Sequence, residues 1–270
     1  MAKWTDTGER LSPLLKIKFR SRGPGVEYPT KEMIKAVEEG AQKAREIMRT
    51  AVYQMDRVVL FRRPEENNFT EIMNFHFVLS AGRPPGNKPL TDNKVNKPFS
   101  LSDIRKRDRR WVLDEVRKGM LSLSFHINTG VCLYDVDSAH RNIGGGFEHG
   151  PADRPIAANT EGYVYGGKQV SETHQGVTKQ LVQPNTGLLS GFKNGEIHIA
   201  FWDMQNYTPA KYARVIIHEA AHKYWAVKDH AYAHQTAEYE NLTYEQAIDN
   251  ADSYAWGAVS LSQGVLNRGV

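Results

Sequence analysis

Apolar residues recur at three- and four-residue steps from Met33 to Met55, through Ile34, Val37, Ala41, Ala44, Met48, Ala51 and Val52, with Thr30 just ahead of them. That period is helical, and a threonine at its head can cap the first turn, so the pattern predicts a long helix after Thr30. Ser102 or Asp103 is placed to cap a second helix running to about Arg117, with Gly119 at its end. The run from Leu121 to Ile127 alternates apolar and polar in the manner of a strand, and so does Gly195 to Met204. Thr208 and Pro209 supply an N-cap and a first-turn proline for a helix through YARVIIHEAAHKYW. Thr243 opens a last helix, with Ile248, Ala251, Ala255 and Val259 on one face.

The remaining segments are less regular. Residues 1–29 suggest an N-terminal arm or an edge strand around Leu14 to Phe19, NFHFVLSAG a short strand or buried segment, and Asp135 to Gly167 a glycine-rich stretch without period. No repeat or linker divides the chain, so residues 1–270 are expected to form one domain. Its class is α+β, mainly helical with a small mixed or antiparallel sheet.

Composition narrows the function more than the fold. With 40% hydrophobic and 24% charged residues, the 270-residue chain falls outside the disordered and fibrous classes. Lys and Arg number 35 against 31 Asp and Glu, and the basic residues are scattered except in Lys16 to Arg22 and Ile104 to Trp111. A solvated helix face accounts for such runs, and no nucleic-acid partner is expected. Cys132 is the single cysteine, which excludes an intrachain disulfide and any CxxC site. No stretch approaches the ~18 apolar residues of a membrane span, and the N-terminus lacks the apolar core of a Sec signal. The expected location is the cytoplasm as synthesised, with export, if any, by a Sec-independent route; a housekeeping protein and a bacterial effector or toxin both fit, and a delivery partner or inhibitor has no signature.

Chemistry concentrates in His218, Glu219 and His222, an HExxH motif inside the apolar-periodic helix. Residues four apart share a helix face, so both imidazoles can reach one zinc ion with Glu219 beside them. A catalytic zinc takes three protein ligands and leaves a fourth position open. The extended HExxHxxGxxH pattern of metzincins fails at Trp225 and Lys228. Glu240 or Glu245 would be the third ligand of a gluzincin-type site, while Asp229, seven residues after His222, can return to the metal once the chain leaves the helix and turns. His230 and His234 are neighbouring competitors.

Asp229 and Tyr232 in AVKDHAYA, followed by Asn250, Ala251, Asp252, Ser253 and Tyr254, resemble the aspzincins, the deuterolysin and peptidyl-Lys metalloendopeptidase group. Those enzymes follow HExxH with a GTxDxxYG-like element and an NADSY-like helix. Here both glycines and the threonine of the first element are replaced, while the second is intact. The likeness covers about residues 195–260, the expected metal-binding and catalytic region.

The resemblance implies a zincin-like fold with zinc held by His218, His222 and Asp229, Glu219 as general base and Tyr232 as donor to the oxyanion. Asp252 has two roles open to it: receiving a substrate side chain, as in the lysine-specific branch, or orienting a histidine ligand. That branch places a second acid where this chain has Ala255, so strict lysine preference is not implied. By analogy with zincins, the strand preceding the HExxH helix is expected at the sheet edge, where an extended protein or peptide substrate could pair. The expected function is a zinc metalloendopeptidase. The alternatives are a zinc amidase or cell-wall peptide hydrolase on the same scaffold, the gluzincin-type peptidase, and a non-catalytic binding protein.

Overall fold

A computed structural model of the chain describes residues 4–6, 16–20, 25–79, 91–92, 97–98, 106–129, 132–135, 161–164, 168–174, 177–183 and 196–269. In chain order its elements are β1 (Trp4–Asp6), β2 (Lys16–Arg20), α1 (Lys31–Val59), α2 (Asn67–Phe77), β3 (Thr91–Asp92), β4 (Lys97–Pro98), α3 (Lys106–Thr129) and β5 (Cys132–Asp135). There follow β6 (Gly162–Val164), β7 (Lys168–His174), β8 (Val177–Gln183), β9 (Glu196–Ile199), α4 (Pro209–Trp225), α5 (Thr236–Glu240), α6 (Tyr244–Ile248) and α7 (Ala251–Gln263). The class is α+β and mainly helical, and no helix among the described residues is long and apolar enough to cross a membrane.

The main sheet has the order β1-β2-β5-β9-β6. Its three central strands are parallel, with Lys16 beside Cys132 and Tyr134 beside His198, while β1 and β6 close the two sides antiparallel. A purely antiparallel sheet is therefore ruled out, and two expectations about its edges need correction. The strand ahead of the HExxH helix, β9, lies between β5 and β6 rather than at the edge, and β2, foreseen as an edge, is covered by β1. The burial of Ile197, His198, Ile199 and Ala200 accounts for the first error: both faces of this strand are covered, so its apolar alternation carried no information about its rank in the sheet. β3 with β4 and β7 with β8 form separate two-stranded pairs.

Thr30 accepts a hydrogen bond from the Met33 amide at 3.2 Å and caps α1, whose buried stripe runs from Met33 through Val37, Ala41, Ala44 and Met48 to Met55. This stripe packs on α4 and α3. The α1–α4 contact is close because Gly40 stands against Tyr212: a Cβ at position 40 would lie 2.5 Å from that of Tyr212. α4 is buried almost all round, by Tyr212, Val215, Ile216, Ile217, Ala220 and Ala221 among others, as befits a helix at the centre of the molecule.

Three further expectations fail locally. Of the two readings of NFHFVLSAG the strand fails and the buried segment holds: its described part, Asn74 to Leu79, lies in α2 and the two residues after it, with Phe75 to Leu79 buried. Leu121 to Ile127 continues α3, because Val116, Met120, Leu123 and Ile127 form a buried helical stripe while Leu121 and Phe125 face solvent. Gly119 therefore lies inside α3, where its missing side chain admits the Trp225 and Tyr254 rings. Ser102, Asp103 and most of the glycine-rich stretch lie outside the described residues.

Candidate metal centre

α4 is capped as its sequence suggests, with Thr208 accepting from the Lys211 amide at 3.4 Å and Pro209 opening the first turn. It ends at Ala226, whose left-handed backbone (φ 54°, ψ 30°) turns the chain sharply back. The returning loop carries Asp229 to the helix face that bears His218 and His222. The Asp229 Oδ1 atom lies 3.2 Å from Nε2 of each histidine, and the two Nε2 atoms are 3.1 Å apart. Among the described residues these three form the group able to hold a metal ion.

The tautomers follow from the other ring nitrogens. His218 Nδ1 donates to Asp252 Oδ1 at 2.7 Å, and His222 Nδ1 donates to the Val227 carbonyl at 2.7 Å. Both Nε2 lone pairs then face each other and a carboxylate, which is repulsive unless positive charge lies between them. A tetrahedral zinc with bonds of about 2.0–2.1 Å separates its ligands by about 3.3 Å, close to the spacing here. The residues thus fit zinc in donor type, number and geometry. The field around His218 points the same way: burial opposes its charge, but Asp229 and Asp252 outweigh burial and push the imidazole up to about 10. His222 is likewise raised, and the two histidines hold the Asp229 carboxyl well below the usual range, against the partial desolvation of a side chain that stays 37% exposed.

Glu219 projects beside this triangle. It is buried, and its Oε2 has no hydrogen-bond partner among the described residues. Such an atom calls for water or a ligand proton. Burial raises its carboxyl, as do Asp229 and Glu161, while the two histidines pull it down. Gly162, first residue of β6, lies directly against it: a Cβ there would stand 2.7 Å from Glu219 Cγ and 2.8 Å from Oε1. Among the described residues the edge strand beside the site is therefore β6, not β9.

The Tyr232 ring stacks on His218 with centroids 5.9 Å apart, and its phenol lies in the field of Asp229. Burial first, and the neighbouring carboxylates second, raise its pKa, so it keeps its proton. Asp252 is 1% exposed and fully engaged, with Oδ2 accepting from the Ala233 amide at 2.7 Å. The other candidates are turned elsewhere: Glu240 pairs with Arg268, and His230 with Asp249. The Glu245 side chain lies outside the described residues.

Sequence reasoning gave no role to several residues that build this site. Asn250, fully buried, accepts from the His230 and Ala231 amides at 2.8 and 3.2 Å and donates to the Ala231 carbonyl, clasping the Asp229 loop. Glu161 accepts from the Tyr207 hydroxyl and from Arg214 at 2.8 Å. Burial, then Glu161, pushes the Tyr207 phenol up to about 12, so it stays a donor. Arg214 was the most legible of these, since it precedes His218 by one turn on the same face. Measured against family models, curated proteins and solved structures, the chain matches none. Its chemistry rests on these atoms.

Proposed function

We propose that the chain is a zinc metalloendopeptidase of aspzincin type with a zincin-like fold. The observation that carries this reading is the triangle of three converging acceptors, His218, His222 and Asp229, with the unpartnered oxygen of Glu219 beside it. One zinc ion satisfies all three groups at once, and a purely structural cation has no need of a buried carboxylate oxygen left without a partner.

When bound, zinc supplies an acidified water and a Lewis acid for the scissile carbonyl. Glu219 takes the proton of the attacking water and returns it to the leaving amine. Its burial favours the protonated form and so suits it to the second half of that task, while nearby positive charge keeps the first half accessible. Tyr232, which retains its proton, donates to the developing oxyanion. Asp252 holds the His218 ring in the tautomer whose Nε2 faces the metal, and this orienting role, rather than substrate recognition, fits its burial and its two committed oxygens.

Substrate binding follows from β6. It is the last strand of the sheet among the described residues, and an extended peptide pairing with it would pass Gly162 and bring its carbonyl past Glu219. An open strand edge suits a protein or peptide chain better than the small rigid substrate of an amidase.

Cleavage of a denatured protein mixture, mapped by mass spectrometry, tests the reading. The zinc-loaded parent is expected to cut and Glu219→Ala to be at least ~10²-fold slower while retaining one zinc per chain. Equal cleavage by both proteins would remove Glu219 as the base.

A further inference from the structure

Glu161 lies outside every motif in the chain, yet it joins the edge strand to the metal site. It directly precedes Gly162, and its backbone carbonyl accepts from the Ala200 amide at 2.8 Å at the end of β9. Its carboxylate reaches in two directions. One oxygen receives the Tyr207 hydroxyl from the loop before α4, and the other receives Arg214 Nη2 at 2.8 Å. Arg214 is 18% exposed in its side chain, approaches Asp252 at 3.7 Å, and lies over the Trp256 ring at 5.7 Å. Asp252 in turn orients His218. One run of polar contacts therefore links β6, the loop before α4, α4 itself and α7.

β6 itself is short. It pairs with β9 over Gly162↔Ile199, Tyr163↔His198 and Val164↔Ile197, too few backbone bonds to fix a strand firmly. Gly162 nevertheless has to stay within van der Waals distance of the Glu219 carboxylate.

We propose that Glu161 is a positioning residue: bridging Tyr207 and Arg214, it clamps the start of β6 so that Gly162 holds the Glu219 carboxylate in place and the strand edge keeps its register for a peptide. The bridge, rather than the charge of Glu161, does the clamping. Its catalytic consequence rests on the peptidase reading; its effect on the strand does not.

The test compares Glu161→Ala with the isosteric Glu161→Gln, whose amide can still accept from Arg214 and bond the Tyr207 hydroxyl. Zinc content should match the parent in both. Glu161→Ala should lower kcat at least ~10-fold with KM moved less than ~3-fold, since a small displacement of a catalytic group costs rate before affinity. Hydrogen exchange across residues 161–164 should quicken by roughly 10-fold in the same variant. Glu161→Gln should stay within ~3-fold of the parent in both readouts. Parent-like exchange or parent-like kcat in Glu161→Ala would overturn the proposal, and so would equal impairment of the two variants, which would assign the effect to charge. Should Glu161→Ala not fold, Tyr207→Phe removes one arm of the bridge and should quicken exchange part-way; no change would overturn the clamp. A parent that cleaves nothing would sink the peptidase reading, and exchange alone would then decide the clamp.

Discussion

The absence of a side chain at Gly162 is as much a part of the site as the carboxylate it touches. Adding one methyl group there, 2.7–2.8 Å from three Glu219 atoms, forces the carboxylate away while leaving His218, His222 and Asp229 untouched. Gly162→Ala should therefore keep its zinc and lose roughly 10²-fold in kcat, read by single-turnover cleavage beside metal analysis. Asp252 fails differently. Asp252→Asn keeps the shape but loses the charge that holds the His218 Nδ1 proton, so zinc affinity should weaken about 10- to 100-fold in a competition titration with a chromophoric chelator. Unaltered affinity would return Asp252 to a substrate role. The clustering of His218, His222 and Asp229, with Glu219 beside them, was legible because helical spacing and short loops are written locally. Gly162 and Glu161 were not, because a strand meets a helix some fifty residues away through tertiary packing that no local period records.

At the scale of elements, the turn out of α4 shows what the departures from the aspzincin pattern cost. The first glycine of that pattern falls at Ala226, and Ala226 adopts the left-handed conformation that glycine accepts without strain (φ 54°). The turn is needed to bring Asp229 back, so the chain keeps it in spite of a side chain that opposes it. Ala226→Gly should raise stability by about 0.5–1 kcal/mol in denaturant unfolding, the relief of strain being partly offset by the greater freedom of the unfolded chain. A destabilised variant would mean that the methyl group packs in a way that compensates the strain. The NADSY helix makes the same point from the other side: Asn250 and Asp252 clasp the returning loop, so the motif reads as a holder for Asp229 and His218. Helix caps at Thr30, Thr208 and Thr243 were readable for the same local reason, each side chain bonding an amide three residues on. The strand expected at Leu121 to Ile127 was not, since two serines between apolar residues mimic alternation while the true period extends back to Val116. Likewise the last helix divides in two at Asp249 and Asn250, where Asn250 turns to the loop instead of continuing α6.

Across the whole molecule, the three proposed metal ligands come from parts of unequal firmness. His218 and His222 stand on α4, braced by α1, α3 and α7. Asp229 stands on a loop whose ties are the Lys228 amide to Asp249 at 2.8 Å, the Ala251 amide to Lys228 at 2.9 Å, and the side chains of Asn250 and Asp252. The His222 Nδ1 bond to the Val227 carbonyl already ties this loop to α4, and zinc would add a second tie through Asp229, so its removal should be felt there and not in the α1–α3 core. Binding to the native state alone contributes about 2.7 kcal/mol when free zinc is 100 times Kd. For a chain of this size that is a fall in Tm of roughly 5–10 °C on chelation. Hydrogen exchange should quicken across residues 226–235 while α1 and α3 keep their protection. Asp229→Ala, with the loop ligand gone, should begin at the low Tm and not respond to added zinc. If chelation instead loosened α1 and α3 together with the loop, the metal would be organising the fold rather than completing a site that the protein has already built.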